Sequence, residues 1–235
     1  MNILFLFLAV IAAIVLWWLA QQRLTAKPWL EAGAIGATGA SSMPTAKIGL
    51  GVFLAVAGCL FALLLSAYTM RMEMGEWKPA PLPEVLWLNT GVLILSSGAL
   101  QWAQVAARRG RMERVRAGLL AGGVFALAFL AGQLVAWRQL DAAGYYLSTN
   151  PCAAFFYLIT GAHGLHMLGG LVALGRTMDR AWQVVPAREM RLSVELCATY
   201  WHFLLFVWLV LFGLLRLTDP IQSDSGLFAL LYRIF

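Results

Sequence analysis

Residues 48–70 read IGLGVFLAVAGCLFALLLSAYTM, a run without one Asp, Glu, Lys or Arg. Wound as an α-helix at about 1.5 Å per residue, it is roughly 34 Å long, enough to cross a hydrocarbon core of about 30 Å. Inside lipid a helix also satisfies each of its own backbone N–H and C=O groups, which an extended segment would leave bare. Five further stretches have comparable length and polarity: residues 3–20, 85–107, 117–137, 153–175 and 194–217. The chain is 61% hydrophobic and 12% charged, with a mean hydropathy of +0.77. A soluble protein carries about a quarter charged residues, so there is too little charge here to cover a water-facing surface. These features predict an all-α membrane protein with six transmembrane helices. The segment at 3–20 has no Lys or Arg before its apolar run and no small-x-small site after it, which predicts a retained helix rather than a cleaved leader.

The excess of positive charge (net +6) falls in the loops, where it reads as topology and not as nucleic-acid binding. The first, third and fifth loops hold Arg23, Lys27 and Lys47, then Arg108, Arg109, Arg111, Arg114 and Arg116, then Arg176, Arg180, Arg188 and Arg191. The other side holds only Arg71, Lys78, Arg138, Arg216 and Arg233. The positive-inside rule therefore predicts residues 108–116 in the cytoplasm and both termini outside. The same basic clusters suit anionic lipid head groups. Three units follow: an N-terminal helix and Gly/Ala/Ser-rich connector (1–46), a five-helix body (47–217) and an apolar tail past Pro220 (218–235) too short to span.

Within the spans, polar residues fall in stripes. Asn89, Ser97, Gln101 and Gln104 lie within about 120° of one another on a helical wheel. Glu195, Thr199 and His202 follow at i, i+4 and i+7, and His163, His166 and Gly170 share another face. Polar groups at membrane depth turn toward other helices, water or partners, so the stripes predict an interhelical polar seam. The three histidines are the chain's only ones. They have three readings by spacing: hydrogen bonding to a neighbouring helix, for instance to Glu195; ligation of a metal or haem; and proton transfer. Cys59, Cys152 and Cys197 show no CxxC or CxxH spacing and read as small buried residues, and no P-loop, GxSxG or HExxH is present.

Several of these residues carry a family resemblance. The run Phe155-Phe156-Tyr157-Leu158-Ile159-Thr160-Gly161-Ala162-His163-Gly164-Leu165-His166 resembles the TG-x-HG-x-H helix of subunit III of the haem–copper respiratory oxidases. Glu195 through Tyr200-Trp201-His202-Phe203 to Val207-Trp208 is similar to that family's last helix, and Leu88-Asn89-Thr90, Ser96-Ser97 and Gln101-Trp102-Ala103 to an earlier one. Gly49 to Ala55, with Tyr68 beyond, fits the helix before that, so the likeness runs in order over residues 47–217.

The resemblance implies a five-helix subunit III body without redox centres, in a bacterial inner membrane. Haem and copper would sit in partner subunits I and II, subunit I being the main contact, and phospholipid would lie in a cleft. It makes His163, His166, Glu195, Thr199, His202, Asn89 and Gln101 parts of a structural seam. Arg176 or Arg180 falls where the family holds a lipid phosphate. Two departures stand out: Ala57 and Leu205 occupy positions where the family commonly has carboxylates, so a proton-gating role does not carry over. The single N-terminal helix replaces two in larger members. Competing readings are an accessory protein of a nitric oxide reductase or quinol oxidase, a transporter with a Glu195–His202 relay, and a b-type cytochrome.

Overall fold

The computed structural model describes residues 45–72, 82–146, 151–183 and 187–217. They form five helices: α1 (Thr45–Met72), α2 (Val85–Arg108), α3 (Met112–Ala142), α4 (Pro151–Trp182) and α5 (Ala187–Leu217). Each is long and apolar enough to cross a membrane. The expected helix at 3–20, the connector after it and the C-terminal tail lie outside the described residues.

Helices α3, α4 and α5 run past the apolar stretches that announce them. Their added turns hold Glu113, Arg114, Arg138, Asp141, Asp179 and Arg180. Charged residues do not end a helix. They end its hydrocarbon-buried part, and long side chains there reach back to the interface. The sharp reversal between α2 and α3 is made at Gly110, whose φ of +70° is left-handed. Arg111 N–H then bonds the Ala106 carbonyl at 3.0 Å, closing the frayed C-terminus of α2.

The packing is a ring of four with one attachment. The α2–α3 hairpin is the most extensive contact, α4 lies against α3, and α5 closes the ring against α4 and α2. Helix α1 touches α5 and α4 from outside. Burial agrees: half of the apolar stretch of α5 is buried, but only 17% of that of α1. The core is built from Leu93, Leu100, Ala103, Leu119, Ala126, Phe129, Trp201 and Trp208. Val52, Val56, Leu63, Leu127 and Val172 point outward, as apolar residues do where lipid is the solvent.

Candidate functional site

The intramembrane polar groups of the ring tie helices together in layers. Ser96 Oγ donates to the Gly122 carbonyl at 2.8 Å and accepts the Trp201 indole N–H at 2.9 Å, so one hydroxyl joins α2, α3 and α5. Two turns further along α5, Trp208 N–H donates to Thr90 Oγ1 at 3.0 Å. At a similar level Asn89 Nδ2 donates to the Phe129 carbonyl at 3.3 Å, with Gln133 Oε1 at 3.5 Å. Trp137 N–H donates to Thr160 Oγ1 at 3.0 Å, binding α3 to α4. A buried indole needs an acceptor, and lipid offers none.

The three histidines turn to three different surroundings. His163 is fully buried and its Nε2 meets the Leu204 carbonyl at 3.2 Å, so Nε2 carries the proton and donates. Its ring sits among Phe129, Trp208 and Phe61. His166 Nδ1 donates back to the Ala162 carbonyl at 2.8 Å, and its own carbonyl accepts the Tyr200 hydroxyl at 2.8 Å. His202 faces α2: Nε2–H donates to Gln101 Oε1 at 2.9 Å, and Nδ1 accepts from Ser97 Oγ at 2.5 Å. Glu195 does not pair with a histidine. Its Oε1 takes Lys47 Nζ at 2.7 Å, an ion pair across α5 and α1, while Thr199 Oγ1 donates to the Glu195 carbonyl at 2.9 Å. Among the described residues no three His, Cys, Asp or Glu side chains converge.

The seam therefore divides. His163, Asn89 and Gln133 lie in the core; Lys47 and Glu195 lie at the α1–α5 boundary; His202, Ser97 and Gln101 form a network at the α2–α5 boundary. Reading stripes alone missed Ser96, Thr90, Gln133 and Lys47. The signal for the first two was available: Trp201 and Trp208 are seven apart on one helix, Ser96 and Thr90 six apart on another, and antiparallel packing brings the pairs level.

A groove of about 410 Å³ opens between α1, α4 and α5. Leu50, Phe53, Leu196 and Tyr200 give it an apolar wall, and Arg176, Arg180 and Ser193 line it as well. Arg180 Nη1 reaches Ser193 Oγ at 3.4 Å. Sequence spacing could not choose between the two arginines; one turn apart on α4, both line the groove. The neighbouring helix ends are tied by arginine as well. Arg116 Nε donates to the Ala181 carbonyl at 2.9 Å and Arg191 Nε to the Ala107 carbonyl at 3.2 Å. This gathers the basic residues of the α2–α3 and α4–α5 connections at one end of the bundle.

Comparison with known proteins agrees with the fold. The family model described as Cytochrome c oxidase subunit III matches residues 2–217. The chain is 34% identical over 177 residues to a cytochrome c oxidase subunit 3 of Synechocystis, covering 72% of this chain and 74% of the relative. It is 31% identical over 175 residues to that of Thermostichus vulcanus, covering 72% and 85%. A probable cytochrome c oxidase subunit 3 of Mycobacterium tuberculosis is 33% identical over 156 residues, covering 65% and 76%. With the motif helices packed as one bundle and likeness running through nearly all of it, the chain belongs to the cytochrome c oxidase subunit III family.

Proposed function

We propose that this chain is a non-catalytic, lipid-binding subunit III that packs on subunit I of a proton-pumping haem–copper oxidase, with subunit II in the same assembly. The observation that carries the lipid part is the α1–α4–α5 groove, where an apolar wall meets two arginines and a serine. Acyl chains suit the wall formed by Leu50, Phe53 and Leu196, and a phosphate suits the Arg176–Arg180 pair through charge-assisted hydrogen bonds. In this reading the more basic end of the bundle faces the cytoplasm, and an expected span at 3–20 would put both termini on the outer side of the cytoplasmic membrane.

The donor sets argue against redox centres in this chain. His163 Nε2 is spent on a carbonyl in an aromatic cage, His166 bonds its own helix, and His202 lies on another face. Haem and copper belong to the partner subunits in this reading. A transporter relay from Glu195 to His202 is not favoured: seven residues separate them by about 10 Å along the helix axis, and each has a different partner.

The test is affinity purification of the tagged chain in mild detergent, followed by an absorption spectrum. Copurification with a haem-bearing large subunit is expected. Haem held by this chain alone would overturn the reading. A second expectation concerns lipid: Arg176→Gln with Arg180→Gln should strip most of the anionic phospholipid seen by native mass spectrometry, with the helix content unchanged. Full retention of that lipid would count against the groove as its site.

A further inference from the structure

The α2–α5 boundary presents polar groups to the outside of the bundle at a depth where lipid offers them nothing. Gln101, Thr199 and His202 are all exposed. His202 lies at the middle of the stretch Met190–Arg216, and Gln101 lies about 10 Å in from the Arg108 end of α2, within the hydrocarbon-spanning part of that helix. Apart from the weakly polar Cys59 thiol, which faces outward at the middle of α1 and is not buried as its apolar setting predicts, and the indole of Trp102 beside Gln101, no other polar side chain is exposed at that depth among the described residues. Arg138 and Gln139 of α3 and Arg176 of α4 lie toward helix ends.

The chemistry left open is specific. Gln101 Oε1 is engaged by His202, and the Gln101 amide nitrogen still has two N–H donors with no bond to the described residues. The surface beside it is smooth. Gly91 and Gly98 lie on the same exposed face of α2, and a Cβ built at either meets no atom within 4 Å. Small residues of this kind let a second helix approach closely, and polar side chains then bond across the contact. Acyl chains cannot accept an N–H, so bilayer contact would leave those donors unsatisfied.

Of the chain's own two apolar segments beyond the bundle, the tail 218–235 is too short to lie along this face through the membrane, and the longer one is a poor occupant. Residues 3–20 hold no hydrogen-bond acceptor in any side chain; their only polar side-chain atoms are the indole N–H groups of Trp17 and Trp18, which donate. We infer that the α2–α5 face, centred on Gly98, Gln101 and His202, is a docking surface for a transmembrane helix of another oxidase subunit. That helix presents a hydrogen-bond acceptor, a carboxylate, amide or hydroxyl oxygen, at the level of Gln101. The inference rests on the reading of this chain as a subunit of a larger complex, and adds the face by which it docks.

The test places the photoreactive residue p-benzoyl-phenylalanine at Gly98, where space is open, and as a control at Leu127, which is exposed on α3. Each tagged variant is irradiated in native membranes and purified. Position 98 is expected to give a cross-link to another oxidase subunit, identified by mass spectrometry of the joined peptide, at least tenfold more abundant than position 127 does. Equal yields from the two positions, or a cross-link from position 98 only to lipid, to residues 3–20 or 218–235, to a second copy of this chain or to a polypeptide that is no oxidase subunit, overturns the inference. If the haem-bearing subunit still copurifies in that case, the subunit reading stands while the docking face falls. Loss of copurification in the unmodified protein overturns both.

Discussion

Gly170→Leu is expected to prevent the folded subunit from accumulating. A Cβ on Gly170 would lie 2.7 Å from Tyr200 Cε1 and 2.8 Å from Trp201 Cζ3, closer than carbon atoms approach without something moving. Neither ring is free to move. Trp201 is fully buried with its N–H on Ser96, and the Tyr200 hydroxyl is bonded to the His166 carbonyl, one turn away on the same α4. Relief must come from separating α4 and α5, and α5 is also the helix that closes the ring against α2. Overpacking a filled site typically costs about 1–3 kcal/mol, so Gly170→Ala should lower the melting temperature in detergent while still assembling. Leucine adds three more carbons to the same clash and should exceed what a marginally stable bundle tolerates. Gly175→Leu is the control, because Gly175 is exposed with open space at its Cβ. If Gly170→Leu reaches wild-type levels in membranes and melts within a degree or two of the parent, the close α4–α5 contact is wrong.

What the sequence revealed and what it hid divide along a physical line. Spans were legible because lipid forces each crossing to be an uninterrupted apolar helix, a rule local enough to read from 48–70 alone. The polar stripes were legible because lipid penalises them wherever they occur. Partners were hidden, since helical periodicity says which residues share a face but not which helix that face meets. Glu195 and His202 illustrate the difference: one stripe on α5, yet one side chain pairs with Lys47 on α1 and the other with Ser97 and Gln101 on α2. Lys47 itself was masked by its position just ahead of an apolar run, where it reads as an ordinary topological charge. Helix ends were underestimated for a related reason. Hydropathy reports where hydrocarbon stops, while α3 and α4 continue through Arg138 and Arg180 into the interface.

Trp208→Ala is expected to be the most damaging large-to-small substitution in the bundle, and a graded series can say why. The side chain is fully buried, T-shaped on Phe129 at 4.9 Å and 89°, stacked with Phe212 at 6.4 Å and 10°, and against His163 at 5.1 Å. Its N–H holds Thr90 Oγ1 on α2. Removing the ring creates a cavity at the junction of α2, α3, α4 and α5, with an expected cost of about 3–5 kcal/mol. Lipid does not rescue it, since the lost contacts are dispersion contacts between helices and a cavity offers no replacement atoms. Trp208→Phe keeps most of the ring but deletes the donor, and Thr90→Val deletes the acceptor. Interhelical hydrogen bonds in membranes average about 0.6 kcal/mol, so each of these should cost far less than Trp208→Ala. Thr90→Val also removes the Oγ1–H bond to the Leu86 carbonyl at 2.8 Å, but that carbonyl keeps the backbone N–H of residue 90, so the indole is left unpaired without unravelling α2. The double variant should cost less than the two singles added together, as it removes both ends of one bond. Unfolding in detergent, followed by tryptophan fluorescence and by helix content, reads all four. Equal losses for Trp208→Phe and Trp208→Ala would shift the weight from packing to the hydrogen bond, and would contradict a ring of helices held chiefly by how its aromatic layers fit.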